Sequence, residues 1–130
     1  MAKDFDDLGC DKTCAMLLVS GDNIEAEEFT RLFQLIPTET RKAGDCTGWR
    51  ICSDGRLASR SAEEHILWVL DQISGKEAVV KGLLARGCQV DIYCEWKLHA
   101  KCEQGGPLLK PDVLKRVSNF GLNLIFGFSS

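Results

Sequence analysis

Hydrophobic and polar positions along the chain follow two periods, one typical of strands and one typical of helices. Residues 88–97 alternate strictly for ten positions, which predicts a strand with one buried face. Residues 13–20 form a continuous apolar run, which predicts a strand covered on both faces. Residues 49–52 predict a short strand, and the alternation over 122–128 predicts a final, well-packed strand. The apolar side of the longest alternating stretch comprises Cys88, Val90, Ile92, Cys94 and Trp96.

Between these stretches apolar residues recur every three or four positions, which predicts amphipathic helices. The first helix spans 22–36 and ends there, because a residue that precedes proline is pushed out of the helical region, and Pro37 follows. Three more helices are predicted over 61–73, which begins with a Ser-x-x-Glu capping box, over 76–86 and over 111–119.

The predicted order is strand, helix, strand, two helices, strand, helix, strand. Polar loops join them at residues 37–48 and 98–110, and Asp54-Gly55 predicts a turn or a hairpin. Helices between strands predict an α+β two-layer sandwich with a mixed sheet of about four strands and helices packed mainly on one face. A length of 130 residues predicts a single domain, with residues 1–12 as an acidic N-terminal extension.

The charge pattern bears on possible partners. The net charge is −3 and no basic stripe is present, which argues against a nucleic-acid partner. Residues 1–30 carry −6 and the rest of the chain +3, so the acidic end is either an attractive surface for a basic partner or a solvated face. No run approaches the ~20 apolar residues that cross a bilayer. We therefore expect a cytoplasmic protein without a membrane partner.

The chain contains seven cysteines, and an odd number without a signal segment predicts reduced thiols rather than a disulfide framework. No pair has the tight local spacing that a zinc site requires, so we expect no metal and no cofactor. Cysteines of this kind are mostly buried small hydrophobic residues. We expect Cys46 and Cys102 to react with alkylating reagents before Cys88 and Cys94.

The candidate nucleophiles and bases are few. The chain has two histidines, His65 and His99, and an enzyme that pairs one of them with Cys46 or Cys102 would rest on residue type alone, because such pairs are recognised by geometry. We expect His65 to be a boundary residue that packs on the indole ring of Trp68.

Motifs for phosphate loops, zinc proteases and nucleophile elbows are absent from the sequence. Two carboxylates, Asp91 and Glu95, lie on one side of a predicted strand, but at ~3.3 Å per residue they are roughly 13 Å apart. That distance is too long for a glycosidase pair. We therefore predict no catalytic residue.

The polar side of residues 88–97 is a more informative surface. It carries Asp91, Tyr93 and Glu95, and Arg50 joins it if Trp49 points inward. Tyrosine and arginine are enriched where proteins bind proteins, although a sheet can also present a polar face to water. Arg41, in the loop 38–48, is positioned to close over this face. The predicted binding residues are Arg41, Arg50, Asp91, Tyr93 and Glu95.

Several short segments of the chain form a recognisable set. They are Ile36-Pro37-Thr38, Gly44, Trp49, 63–68, 90–93, 113–117 and 121–124. Together they resemble a family of small bacterial domains catalogued as a domain of unknown function. The resemblance covers roughly residues 13–128, and most of the matching positions are packing positions; the serine expected two places before the tryptophan is Thr47 here. It implies an α+β fold and a bacterial source, and no reaction, cofactor or catalytic residue.

The leading hypothesis is a non-enzymatic cytoplasmic protein-binding module, in its most specific form an immunity protein that neutralises a basic bacterial toxin domain. The alternative is a small-molecule-binding protein or unrecognised enzyme that uses the polar sheet face and the loop 38–48. The first hypothesis predicts a broad, shallow surface, and the second a deep pocket lined by Arg50, Asp91 and Tyr93. A homo-oligomer formed through the exposed face or an edge strand is a third possibility.

Overall fold

The computed structural model describes residues 6–99 and 105–129. Within these residues five strands and four helices follow one another along the chain. They are β1 (Cys10–Asp22), α1 (Ala26–Phe33), β2 (Glu39–Ala43), β3 (Cys46–Cys52), α2 (Ala62–Gln72), α3 (Glu77–Ala85), β4 (Gln89–Leu98), α4 (Pro111–Phe120) and β5 (Asn123–Ser129).

The strands form one sheet in the order β2-β3-β1-β4-β5. All neighbouring pairs are antiparallel except β4 and β5, which are parallel. The predicted α+β sandwich with a mixed sheet is therefore confirmed, with five strands rather than about four. At the centre of the sheet, Leu18 of β1 lies opposite Arg50 of β3 on one side and Asp91 of β4 on the other.

One face of the sheet carries the hydrophobic core. From Thr13 onwards the odd-numbered positions of β1 point into it, as do the odd-numbered positions of β3 and the even-numbered positions of β4, and they meet the apolar sides of the four helices. The alternation predicted for residues 88–97 is confirmed in this arrangement. The largest core side chains include Leu17, Phe29, Phe33, Trp49, Ile66, Leu70, Leu83 and Ile92.

The prediction that β1 is covered on both faces is wrong. Its even-numbered side chains point away from the helices, yet Met16 is only 6% exposed. Longer side chains on the neighbouring strands shield it: Arg50 Nη1 lies 3.5 Å from the Met16 sulfur, and Tyr93 stands opposite on β4. An apolar residue on a central strand can therefore be buried without a second layer.

The polar segment 37–48 was predicted to be a loop, and this prediction is also wrong. It contains β2, which pairs with β3 through a hairpin whose two-residue turn is Gly44-Asp45. Gly44 has φ +63°, as the first central residue of such a tight turn requires. Because β2 is an edge strand with mostly exposed side chains, it has no apolar alternation.

The ends of α1 and the position of β5 differ from expectation. The helix ends at Phe33, where Gln34 takes a left-handed conformation with φ +58°, so Ile36 lies outside it and is 89% exposed. The β5 strand, predicted to be well packed, is an edge strand with half-buried and exposed side chains. Asp54-Gly55 forms a turn without a hairpin.

The N-terminal part of the described chain is attached to the start of α2. Ser61 caps this helix as predicted, accepting a hydrogen bond from the Glu64 amide at 3.3 Å. Asp7 is 8% exposed and accepts from the Ala62 amide at 2.9 Å and from Trp96 Nε1 at 2.8 Å. Part of the predicted acidic extension is thus packed against the domain.

Candidate functional site

The surface of the sheet that faces away from the helices contains all five predicted binding residues. We call it the open sheet face. Cross-strand register places its members side by side, since Leu18 pairs with both Arg50 and Asp91, and Gly48 with both Ser20 and Arg41. Its principal members are Met16, Leu18, Ser20, Glu39, Arg41, Gly48, Arg50, Gln89, Asp91, Tyr93, Glu95, Asn123 and Ile125.

A groove of about 330 Å³ runs across one half of this face. Gly48 opens it, because a glycine leaves the sheet surface bare between Ser20 and Arg41; a Cβ placed there would come no closer than 3.8 Å to another side chain. The volume is at the lower end of those typical for small-molecule sites. The lining includes Leu18, Ser20, Glu39, Arg41, Gly48, Arg50, Gln89 and Asp91.

Glu39 holds both arginines on one side of the groove. Its carboxylate accepts from Arg50 Nη2 at 2.8 Å and from Arg41 Nε at 3.2 Å. The Arg50 guanidinium holds the pKa of Glu39 below its usual range. The Nε atom of Arg50 is buried and has no hydrogen-bond partner within the described residues. One carboxylate thus fixes two guanidinium groups, and the wall retains donors and a net positive charge.

The opposite wall is acidic. Asp91 accepts a hydrogen bond from Asn123 Nδ2 at 3.1 Å and lines the groove. Tyr93 and Glu95 lie further along β4, outside the groove. The structure therefore brings Arg41, Arg50 and Asp91 together around one groove.

Two residues that line the groove, Leu18 and Glu39, were not singled out from the sequence. Leu18 was assigned to a fully covered strand, and Glu39 to a loop, so neither was placed on the polar face. The sequence did contain a signal for the strand that holds Glu39: Gly44-Asp45 has the composition of a two-residue hairpin turn. Such a turn would have predicted that residues 39–43 pair with β3, next to Gly48.

His65 is not a boundary residue on the Trp68 ring, as predicted, but is 2% exposed. Its Nε2 lies 2.8 Å from the Ser59 carbonyl oxygen, and its Nδ1 lies 2.6 Å from Ser53 Oγ. Since the carbonyl only accepts, Nε2 carries a proton, and in the neutral imidazole Ser53 therefore donates to Nδ1. Ser53 also accepts from the Ala15 amide at 2.8 Å. With Ser53 fully buried, a substrate has no access, and the pair joins α2 to the sheet.

The thiols follow the predicted division as far as the structure describes them. Cys46 is exposed, and Cys88 and Cys94 are buried; Cys102 lies outside the described residues. Burial raises the pKa of Cys94 to about 11. No group of three or more potential ligands close enough to hold a metal ion occurs within residues 6–99 and 105–129.

Apart from the groove, the described part of the chain offers little that identifies a class of protein. None of the helices described combines the length and apolar character needed to cross a bilayer. The decisive observation is a match between residues 11–128 and the family model described as Domain of unknown function (DUF4279). The chain belongs to this family. The match confirms the resemblance to a domain of unknown function, and the DUF4279 description names no reaction and no ligand. No curated protein and no solved structure matches this DUF4279 chain.

Proposed function

We propose that the protein is a non-enzymatic cytoplasmic binding module that holds a protein partner on its open sheet face. The observation that carries this proposal is the distribution of side chains on that face. Leu18 lies half-buried on the central strand, and charged residues lie on the strands to either side, Arg50 on β3 and Asp91 on β4. An apolar centre within a polar rim is the usual composition of a protein interface.

Shape supports the same proposal. The lining of the groove does not include Tyr93, which the hypothesis of a deep pocket had placed there. Tyr93 and Arg50 belong to the residue types that most often dominate binding energy in protein interfaces. A partner that places one apolar side chain over Leu18 and Gly48 would contact both walls of the groove.

The acidic residues 1–30 contribute less to this proposal than their net charge of −6 suggests. Several of its carboxylates are already paired within the chain: Asp11 with Lys97, Glu25 with Lys42 and Glu28 with Arg86. Asp7 is buried. Charges that are neutralised at close range contribute little to long-range attraction. The open sheet face is therefore the better candidate for partner contact.

The most specific form of the proposal is an immunity protein that neutralises a bacterial toxin encoded beside it. Such a protein works by occupying a surface and needs no catalytic group of its own. The rim of the groove supports this form, because alternating positive and negative walls select a partner of complementary pattern.

The test is co-expression with each neighbouring open reading frame, followed by affinity purification. Charge reversal at the two walls, Arg41→Glu and Asp91→Lys, should each lower recovery of the partner on the order of tenfold or more. The control is Lys115→Glu, an exposed position on α4 on the other layer, which should leave recovery unchanged. Equal recovery with all three variants, at unchanged circular dichroism, would remove the open sheet face from the proposal.

A second candidate, binding of a small molecule in the groove, is favoured by one observation. Arg41 and Arg50 line one side of the groove and Asp91 lines the other, so a ligand carboxylate would bind the guanidinium groups and face the acidic Asp91. A molecule that carries both a carboxylate and an ammonium group matches the charges of these two walls.

This candidate is tested by thermal shift with free amino acids and dicarboxylates as probes. The matched variant is Gly48→Val, which fills the groove at a position with space for a Cβ and suits a strand. Probe-dependent stabilisation of the wild type that disappears in Gly48→Val would support a groove ligand. No shift with any probe would leave the groove to the protein partner.

A further inference from the structure

The β5 edge of the sheet has the composition of a pairing surface. Its seven residues, NLIFGFS, include no charged residue and no proline. Two of its large side chains are exposed, Ile125 at 41% and Phe128 at 63%. A strand edge presents a row of backbone donors and acceptors, and proteins that keep such an edge single usually place charges, proline or a bulge on it.

The other edge of the same sheet shows that protection. In β2, three of five residues are charged, Glu39, Arg41 and Lys42. If two copies of β2 paired antiparallel about its centre, Arg41 would face Arg41 of the second copy, and like charges directly opposite are destabilising. Pairing of β5 with itself has no such conflict, because it has no charges. The two edges thus differ in charge, and charge decides whether a strand can pair with its own copy.

We infer that two copies of this chain pair through β5 in antiparallel orientation and form a continuous ten-stranded sheet. A two-fold axis at Phe126 uses the full strand: Leu124 then lies opposite Phe128 of the second copy, and Asn123 opposite Ser129. Every residue of β5 acquires a cross-strand neighbour in this register. The inference does not rest on the proposed function, because the groove lies towards the opposite edge.

Side chains on both faces of β5 fit this register. On the helix side, Phe126 and Phe128 stack at 5.7 Å, and Phe128 meets Trp96 edge-on at 6.1 Å. Leu124 of the second copy would extend this apolar row and cover Phe128. On the open side, Ile125 would lie opposite Gly127 of the second copy and beside the Tyr93 ring that covers this glycine.

Exposed apolar surface is concentrated at the same edge. Among the described residues, seven large hydrophobic side chains are exposed. Four of them lie on β5, on α4 or in the segment that leads into α4. These four are Leu108, Leu114, Ile125 and Phe128. A second copy at β5 places its own α4 on the same layer of the sandwich.

The first experiment is the solution mass of the full chain by light scattering after size exclusion, over a range of concentrations. We expect twice the 14.4 kDa chain mass. Ile125→Lys adds the charge that guards natural edges at a position exposed in the single chain, and it should give the single-chain mass with unchanged circular dichroism. The control, Thr40→Lys on β2, should remain dimeric. A single-chain mass for the wild type at every concentration would overturn the inference, as would an Ile125→Lys variant that stays dimeric.

Hydrogen exchange supplies a measurement that needs no variant. Alternate amides of β5 point away from β4, and in the dimer they bond to the second copy. Their exchange should be slower by about tenfold or more at high protein concentration than after dilution below the dissociation constant. Fast exchange of these amides at all concentrations would contradict pairing through β5, even if the chain formed a dimer through another surface.

Discussion

The ring of Tyr93 lies over Gly127 of the neighbouring strand, and the two positions exclude each other's side chains. A Cβ placed on Gly127 would overlap the Tyr93 hydroxyl and the ring carbons next to it. Glycine in a strand often marks a place where another group comes close. Here it determines where the one tyrosine of the chain stands on the open sheet face.

Replacing this glycine should displace the ring. We expect Gly127→Ala to lower the free energy of unfolding by about 1–3 kcal/mol, the usual cost of inserting a group into a closely packed place. Urea denaturation at one fixed protein concentration measures it. In a Tyr93→Ala background the cost should disappear, because the overlapping ring is gone. The matched control is Gly82→Ala in α3, which has open space around it and should gain about 0.5–1 kcal/mol.

The buried Ser53–His65 pair should matter for stability. Ser53→Ala removes the acceptor of the Ala15 amide and the donor to His65 Nδ1. Leaving buried polar groups without a partner costs about 1–3 kcal/mol, and we expect a decrease of that size in the free energy of unfolding. Ser74→Ala, at an exposed position, should change stability by less than about 0.5 kcal/mol. An unchanged free energy of unfolding in Ser53→Ala would show that water replaces the hydroxyl.

Asp7 should be a structural residue even though it lies near the start of the chain. Its carboxylate accepts from the Ala62 amide, the Trp96 indole and, at 3.4 Å, the Leu108 amide. A hydrogen bond to a charged acceptor contributes about 1.5–3 kcal/mol. We therefore expect Asp7→Ala to lower the free energy of unfolding by on the order of 3 kcal/mol. The same change should alter the fluorescence of Trp96. Asp11→Ala, which removes an exposed ion pair with Lys97, should cost less than about 1 kcal/mol. Equal effects of the two changes would contradict this assignment.

The fold was predictable where one face of an element is buried. Residues 88–97 form a strand with one core face and one polar face, so their alternation gave both the element and the orientation of each side chain. The helix that begins at Ala62 was equally clear, because Ser61 caps it. For α1, the predicted end at Ile36 was too late, because the left-handed conformation of Gln34 ends the helix at Phe33, before Pro37.

The candidate site was predictable only in part, for a physical reason. Arg50 and Asp91 were placed correctly because each alternates with core residues of its own strand. Glu39 was missed because β2, an edge strand without a core face, has no hydrophobic period. Leu18 was missed because an apolar side chain on the open face of a central strand looks, in sequence, like a second buried face. The contacts that shield such residues come from other strands and are not local.

Buried thiols should make stability fall at alkaline pH. Burial raises the pKa of Cys10 and of Cys94 to about 11, and that of Cys14 to about 12. The pKa of an unfolded thiol is near 9.0, so above about pH 9 the unfolded chain binds fewer protons than the native one. The free energy of unfolding should therefore decrease between about pH 9 and 11 in the presence of a reductant, and Cys14→Ala should reduce the slope. Cys46→Ser, at an exposed position, should leave the slope unchanged. A free energy of unfolding that does not change over this pH range would show that the thiols of Cys10, Cys14 and Cys94 ionise equally in the folded and unfolded states.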